Sequence, residues 1–122
     1  MFMSQRAPKA ETPKILRPIS LERGFHFSTE KGSTGITAIS LSDFTAKLET
    51  IDVNSVLFHY PRGDFQKWIS DTLGDTELAD RMCIVQIGLS GEKLREHLLW
   101  IIQKRITELK EQHTPKQLDG TV

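Results

Sequence analysis

The chain has 122 residues, 38% of them hydrophobic and 26% charged, which allows one domain with a modest core that needs no disulfide or metal and excludes an intrinsically disordered chain. Sixteen Lys and Arg balance sixteen Asp and Glu, so no overall field draws the chain to nucleic acid or to an anionic membrane, and neither is an expected partner. Cys83 is the only cysteine, which rules out an intrachain disulfide and a Cys-x-x-Cys pair and leaves a buried thiol as the expectation.

The first residues lack the apolar stretch of a secretory signal, and the longest uninterrupted apolar run is Leu98-Leu99-Trp100-Ile101-Ile102. A cytoplasmic protein with no membrane span is expected. Residues 1–20 hold Pro8, Pro13 and Pro18 and four basic residues (Arg6, Lys9, Lys14, Arg17) against Glu11, the composition of a flexible basic arm. A single globular domain is expected over residues 21–112, followed by a disordered tail over 113–122.

Gly24-Phe25-His26-Phe27-Ser28 alternates bulky and polar residues. With a turn at Gly32-Ser33-Thr34-Gly35, it predicts a short hairpin returning through Ile36-Thr37-Ala38-Ile39. From residue 40 the period becomes helical, with Leu41, Phe44, Leu48 and Ile51 on one face and Ser40 and Asp43 spaced as an acidic capping box. Asp52 then caps a short helix carrying Val53, Val56, Leu57 and Tyr60, which Pro61 stops.

Asp64 is the expected N-cap of a third helix, in which Phe65, Trp68, Ile69, Thr72 and Leu73 form the stripe and Gly74 supplies the left-handed end. Asp75 restarts the chain as the cap of a fourth helix with Leu78, Met82 and Val85 on one face. Ser90 caps the longest helix, which runs to about Gln112 and measures on the order of 33 Å. Its broad apolar face is Leu94, Leu98, Leu99, Ile101, Ile102, Ile106 and Leu109, with Arg105 inside it and Trp100 on the far side. The fold class is therefore mainly α, α+β at most: a short N-terminal β-hairpin followed by about five helices, the last one long.

Functional residue types crowd between Ser55 and Trp68. His59, Arg62 and Asp64 bracket a helix–helix joint where an imidazole, a guanidinium and helix-start amides could meet a phosphate or carboxylate, with Trp68 closing the run. The competing structural reading has Asp64 occupying those amides and Phe65 and Trp68 in the core. Arg62-Gly63-Asp64 also spells the tripeptide of integrin ligands, which without a secretory signal reads as coincidence. Lys31-Gly32-Ser33-Thr34-Gly35 lacks P-loop order and reads as a polar turn. His26, His59, His97 and His113 include no i, i+4 pair, so neither a metal nor any other cofactor is expected.

Four stretches carry a resemblance: Phe25-His26-Phe27, the run from Ser55 to Ile69 (S-x-x-F-H-x-x-R-G-D-F-x-x-W-I), Leu73-Gly74-Asp75-Thr76-Glu77-Leu78-Ala79, and Gly91-Glu92-Lys93-Leu94-Arg95. Together they resemble an uncharacterised family of small bacterial and archaeal domains, over roughly 70% of the chain. The resemblance implies the extent of the domain and no activity. With no nucleophile–base or metal-ligand constellation, the leading expectation is a noncatalytic protein-interaction or regulatory module whose surface includes His97, Trp100 and Lys104 and which could self-associate as a homodimer. The alternative is a small-molecule or anion-binding domain, or a weak enzyme, using His59, Arg62, Asp64 and Trp68.

Overall fold

The computed structural model describes residues 13–83 and 88–112. Two strands, β1 (Phe25–Thr29) and β2 (Gly32–Ala38), form an antiparallel hairpin, followed by α1 (Leu41–Thr50), α2 (Val53–His59), α3 (Asp64–Trp68), α4 (Thr76–Met82) and the long α5 (Gly91–Gln112). A hairpin and five helices is the architecture expected from the periodicities.

The hairpin turns at Glu30–Lys31 rather than at Gly32–Gly35, which belong to β2. Phe27 faces Ile36 while Ser28 faces Ser33, so the ladder slips by a bulge at Thr34–Gly35, where Gly35 has φ +79°. The bulge explains the glycine that suggested a turn. Phe25 and Phe27 still point inward together, and their rings lie 4.9 Å apart. Around them Phe27 stacks on Phe44 of α1 at 5.5 Å, and Phe44 meets Phe65 of α3 at 5.3 Å. Each such aromatic pair adds roughly 0.5–1.5 kcal/mol beyond its area burial, so this ring cluster orders the hairpin against the helices.

Ser40 caps α1 by accepting the Asp43 amide at 3.0 Å, and Asp43 reaches back to the Ile39 amide at 3.0 Å. Asp52 caps α2 at the Asn54 amide. The buried face of α2 is Ser55, Val56 and His59, not the expected Val53–Val56–Leu57–Tyr60 stripe, and Leu57 is 44% exposed. Two polar side chains turn inward because each finds a partner there, as shown below.

α3 departs from its expected cap. Gly63, with φ +74°, takes the N-cap position, and the Asp64 carboxylate bonds to side chains instead of to the helix amides. After Trp68 the helix widens into a π-helical turn over Ile69–Leu73, closed by Gly74 at φ +83°. The wider turn carries Thr72 out of the stripe, leaving it half-buried while Ile69 and Leu73 stay inside.

Asp75 caps α4 as expected, accepting the Leu78 amide at 3.1 Å. The helix stops at Met82. Cys83, one residue past the inner stripe, is exposed rather than buried, and Val85 lies outside the described residues. In α5, Leu94, Leu98, Ile102 and Leu109 are buried, while Leu99, Ile101 and Ile106 are partly buried against the core.

The expected basic arm does not extend through residue 20. Lys14–Leu16 forms a turn of 3-10 helix, Leu16 is buried, and the Ile19 amide donates to the Ile39 carbonyl at 2.8 Å. Ile15, Leu16 and Ile19 supply the apolar contacts that hold this segment down despite its prolines. Residues 1–12 and the expected tail over 113–122 lie outside the described residues.

Candidate functional site

The chain path brings His59, Arg62 and Asp64 together at the joint between α2 and α3. His59 ends α2 with its ring buried, and Pro61 and Gly63 turn the chain so that Asp64 opens α3 beside it. One carboxylate oxygen of Asp64 accepts from His59 Nδ1 at 2.8 Å and from Arg62 Nε at 2.9 Å. The Ser28 amide donates to His59 Nε2 at 2.9 Å, which places the ring proton on Nδ1. Both imidazole nitrogens are thus used within the fold.

The surroundings of this cluster are aromatic. The His59 ring lies edge-on to Phe25 at 4.7 Å and to Phe58 at 5.0 Å, and the Arg62 guanidinium covers the Phe58 ring at 4.6 Å. Burial pushes the Asp64 carboxyl up, but the hydrogen bonds from His59 and Arg62 and the nearby charges outweigh it and hold the group below its usual range.

Trp68 does not join this cluster. Its indole nitrogen donates to the Arg23 carbonyl at 2.8 Å, and its ring packs on Phe25 and Phe44. One cleft of about 370 Å³ lies beside the joint, between the hairpin turn at Glu30–Lys31 and the face of α2 carrying Asp52, Leu57 and Phe58. A second, of about 480 Å³, lies between the N-terminal segment (Lys14, Arg17, Arg23) and the end of the π-helical turn at Asp71–Gly74. Neither is lined by His59, Arg62, Asp64 or Trp68.

Several residues of the stretches that carry the resemblance do a structural task for which their local spacing holds no signal. Ser55 Oγ donates to the Ser28 carbonyl at 2.7 Å, so α2 satisfies both backbone polar groups of Ser28. Arg95 Nη1 donates to the carbonyls of Leu48 and Ile51 at 2.8 and 2.7 Å, capping the C-terminal end of α1 from α5. Asp75, capping α4, also receives Arg105 at 2.9 and 3.1 Å, which explains the arginine within the apolar stripe of α5. Arg81 and Glu108 extend this network across α4 and α5 through paired bonds of 3.0 and 2.9 Å. These partners are long-range or backbone atoms, which local spacing does not encode.

His97, Trp100 and Lys104 share the outer face of α5, and all three are exposed. Trp100 is 64% exposed, with Lys104 Nζ 5.5 Å from its ring centre, whereas the ring of Trp68 is buried against Phe25 of the hairpin. Among the described residues, no group of three or more His, Cys, Asp or Glu is placed to hold a metal ion, and no helix is long and apolar enough to cross a membrane.

Residues 22–119 match a family of unknown function, DUF5752, across about four-fifths of the chain. The chain belongs to this family. No curated protein and no solved structure matches it. The DUF5752 match begins just before β1 and runs past the end of α5, so it takes in every element that builds the joint and the outer face of α5.

Proposed function

We propose that this DUF5752 chain is a noncatalytic protein-interaction or regulatory module that works through the outer face of α5, with His97, Trp100 and Lys104 at its centre. One contrast carries the reading. Ser55, His59, Asp64 and Trp68 of the Ser55–Trp68 run are bonded within the fold, whereas Trp100 stands 64% exposed on the longest helix. An aromatic ring with a polar edge, held on a rigid helix, is the side-chain type that anchors protein interfaces.

The test is a photo-crosslinking amino acid placed at position 104, with position 49 on the exposed side of α1 as control, and irradiation in the native host. A discrete protein adduct from position 104 and none from 49 is the expected result. No adduct from position 104 overturns the reading.

A second reading has one observation in its favour. The Arg62 side chain is 59% exposed and engages Asp64 through Nε, so an anion or small-molecule ligand at the joint of His59, Arg62 and Asp64 would find a guanidinium edge. A screen of phosphorylated and carboxylated metabolites by thermal shift decides it: stabilisation that disappears in Arg62→Ala supports a ligand site, and no stabilisation by any of them removes it.

A further inference from the structure

On a helix, residues three, four and seven positions from Trp100 fall on its own face, about 40–60° or less from its direction. Those positions are Lys93, Glu96 and His97 on one side and Gln103, Lys104 and Thr107 on the other, and all are exposed. Lys93 and Glu96 are 68% and 74% exposed and only 4.0 Å apart, a distance that barely holds an ion pair. The face carries one large apolar side chain with two lysines and one glutamate interleaved along it, a mixed-sign pattern rather than the single-sign patch that a polyanion or a lipid surface would need.

The order of those charges singles out a partner. A two-fold axis through Trp100 and perpendicular to α5 places residue 100+n of one copy opposite residue 100−n of the other. Lys104 then meets the partner's Glu96, and Glu96 meets the partner's Lys104, each about 6 Å along the axis from the central tryptophan. Gln103 faces the partner's His97, and Thr107 faces the partner's Lys93. No like charges fall opposite one another along this face. A parallel pairing would instead set Glu96 against Glu96 and Lys104 against Lys104.

We propose that the partner of the α5 face is a second copy of this chain, docked antiparallel on a two-fold axis through Trp100, with Trp100 against Trp100 and two reciprocal Glu96–Lys104 pairs. This rests on the reading of α5 as the interaction surface and names its occupant. The exposed pairs supply register more than affinity, since rim charges set which alignment is allowed, while burial of the two indoles supplies the attraction.

Light scattering after size exclusion, backed by sedimentation equilibrium on the full chain, reads the outcome. The wild type is expected at twice 13.9 kDa and Trp100→Ala at 13.9 kDa. Glu96→Lys and Lys104→Glu each set like charges opposite one another and are expected to weaken self-association about ten-fold or more. Mixing these two single variants restores complementarity and should give a heterodimer, and the double variant Glu96→Lys/Lys104→Glu should dimerise alone. A monomeric wild type, or single charge variants that dimerise as tightly as wild type, overturns the proposal. A crosslinked adduct at position 104 whose second protein is not this chain would sink the homodimer and leave α5 as an interaction surface.

Discussion

The Ser28 amide donates to His59 Nε2 at the place where the pairing of β1 with β2 slips. The carbonyl of the same residue receives Ser55, one turn earlier on α2, so two helical side chains serve a strand residue whose ladder is disturbed. The far side of the imidazole bonds Asp64, which also takes Arg62, and so hairpin, α2 and the start of α3 are tied through one ring. Residue types that suggest chemistry are used here to join elements. That use weighs against a reactive imidazole, because a general base needs a free lone pair and both nitrogens are occupied.

Replacing His59 by Ala leaves the Ser28 amide and the Asp64 carboxylate without their partner and opens a void among Phe25, Phe58 and Phe65. The expected loss is about 2–4 kcal/mol of unfolding free energy. Urea denaturation measures the loss, and amide exchange by NMR locates it: Ser28 should exchange faster in the variant relative to wild type. An unchanged Ser28 rate would show that the ring does not hold the strand.

Much of the architecture was legible in local signals. The caps at Ser40, Asp52 and Asp75 lie within three residues of the amides they serve, and the glycine end at Gly74 bonds back to Ile69 within the same turn, so their chemistry is written in short spacing. The failures come from partners outside the helix concerned. Asp64 has the residue type of a cap, but His59 and Arg62 compete for its carboxylate and win, and the cap position passes to Gly63. Leu57 fits a helical stripe, but Ser55 and His59 have partners on the hairpin and turn α2 to face it. Of the candidate site, the grouping of His59, Arg62 and Asp64 was legible. The separate place of Trp68, bonded to Arg23, depends on where the N-terminal segment returns.

Asp75 and Arg105 test a buried charge pair. The Asp75 side chain is 1% exposed and that of Arg105 is 12% exposed, and they share two bonds. Arg105→Met removes the partner of a buried carboxylate and is expected to cost about 3–5 kcal/mol. Asp75→Asn keeps an oxygen to cap α4, so the double variant Asp75→Asn/Arg105→Met should be more stable than Arg105→Met alone. Chemical denaturation of the three variants checks this, and a double variant no better than the single would mean that the charge itself is not what destabilises.

Gly91 opens α5 against α2. A Cβ there would lie 2.5 Å from Val53 Cγ2 and 3.2 Å from Leu57 Cδ1, so the two helices approach at a point where only glycine fits. Alanine gains helix propensity of up to about 1 kcal/mol over glycine, but overpacking of this kind costs about 1–3 kcal/mol. Gly91→Ala is expected to lower the melting temperature and Val53→Ala/Gly91→Ala to recover part of the loss, as measured by circular dichroism. A melting temperature raised by Gly91→Ala would place the helices further apart.

Acid should loosen the same joint that His59 organises. For Asp64, burial raises the carboxyl pKa, but the bonds from His59 and Arg62 dominate and hold the folded value below the ordinary range of an aspartate; Asp43, half-buried beside the Ile39 amide and Lys47, behaves alike. Arg81 lowers Glu108 in the same direction from 4.5, chiefly through its hydrogen bonds. A carboxyl whose pKa is depressed by folding binds fewer protons in the native state, so its contribution is present above the unfolded value and fades as pH falls through the folded one. Stability should therefore be level near neutrality and decline once the pH drops below about 4.5. Asp64→Asn removes one of the three titrating groups, so its stability should start lower at pH 7 and fall less steeply in acid than that of wild type. Urea midpoints from pH 7 down to pH 3 measure both slopes, and parallel curves would mean that Asp64 is not held in its charged form by the joint.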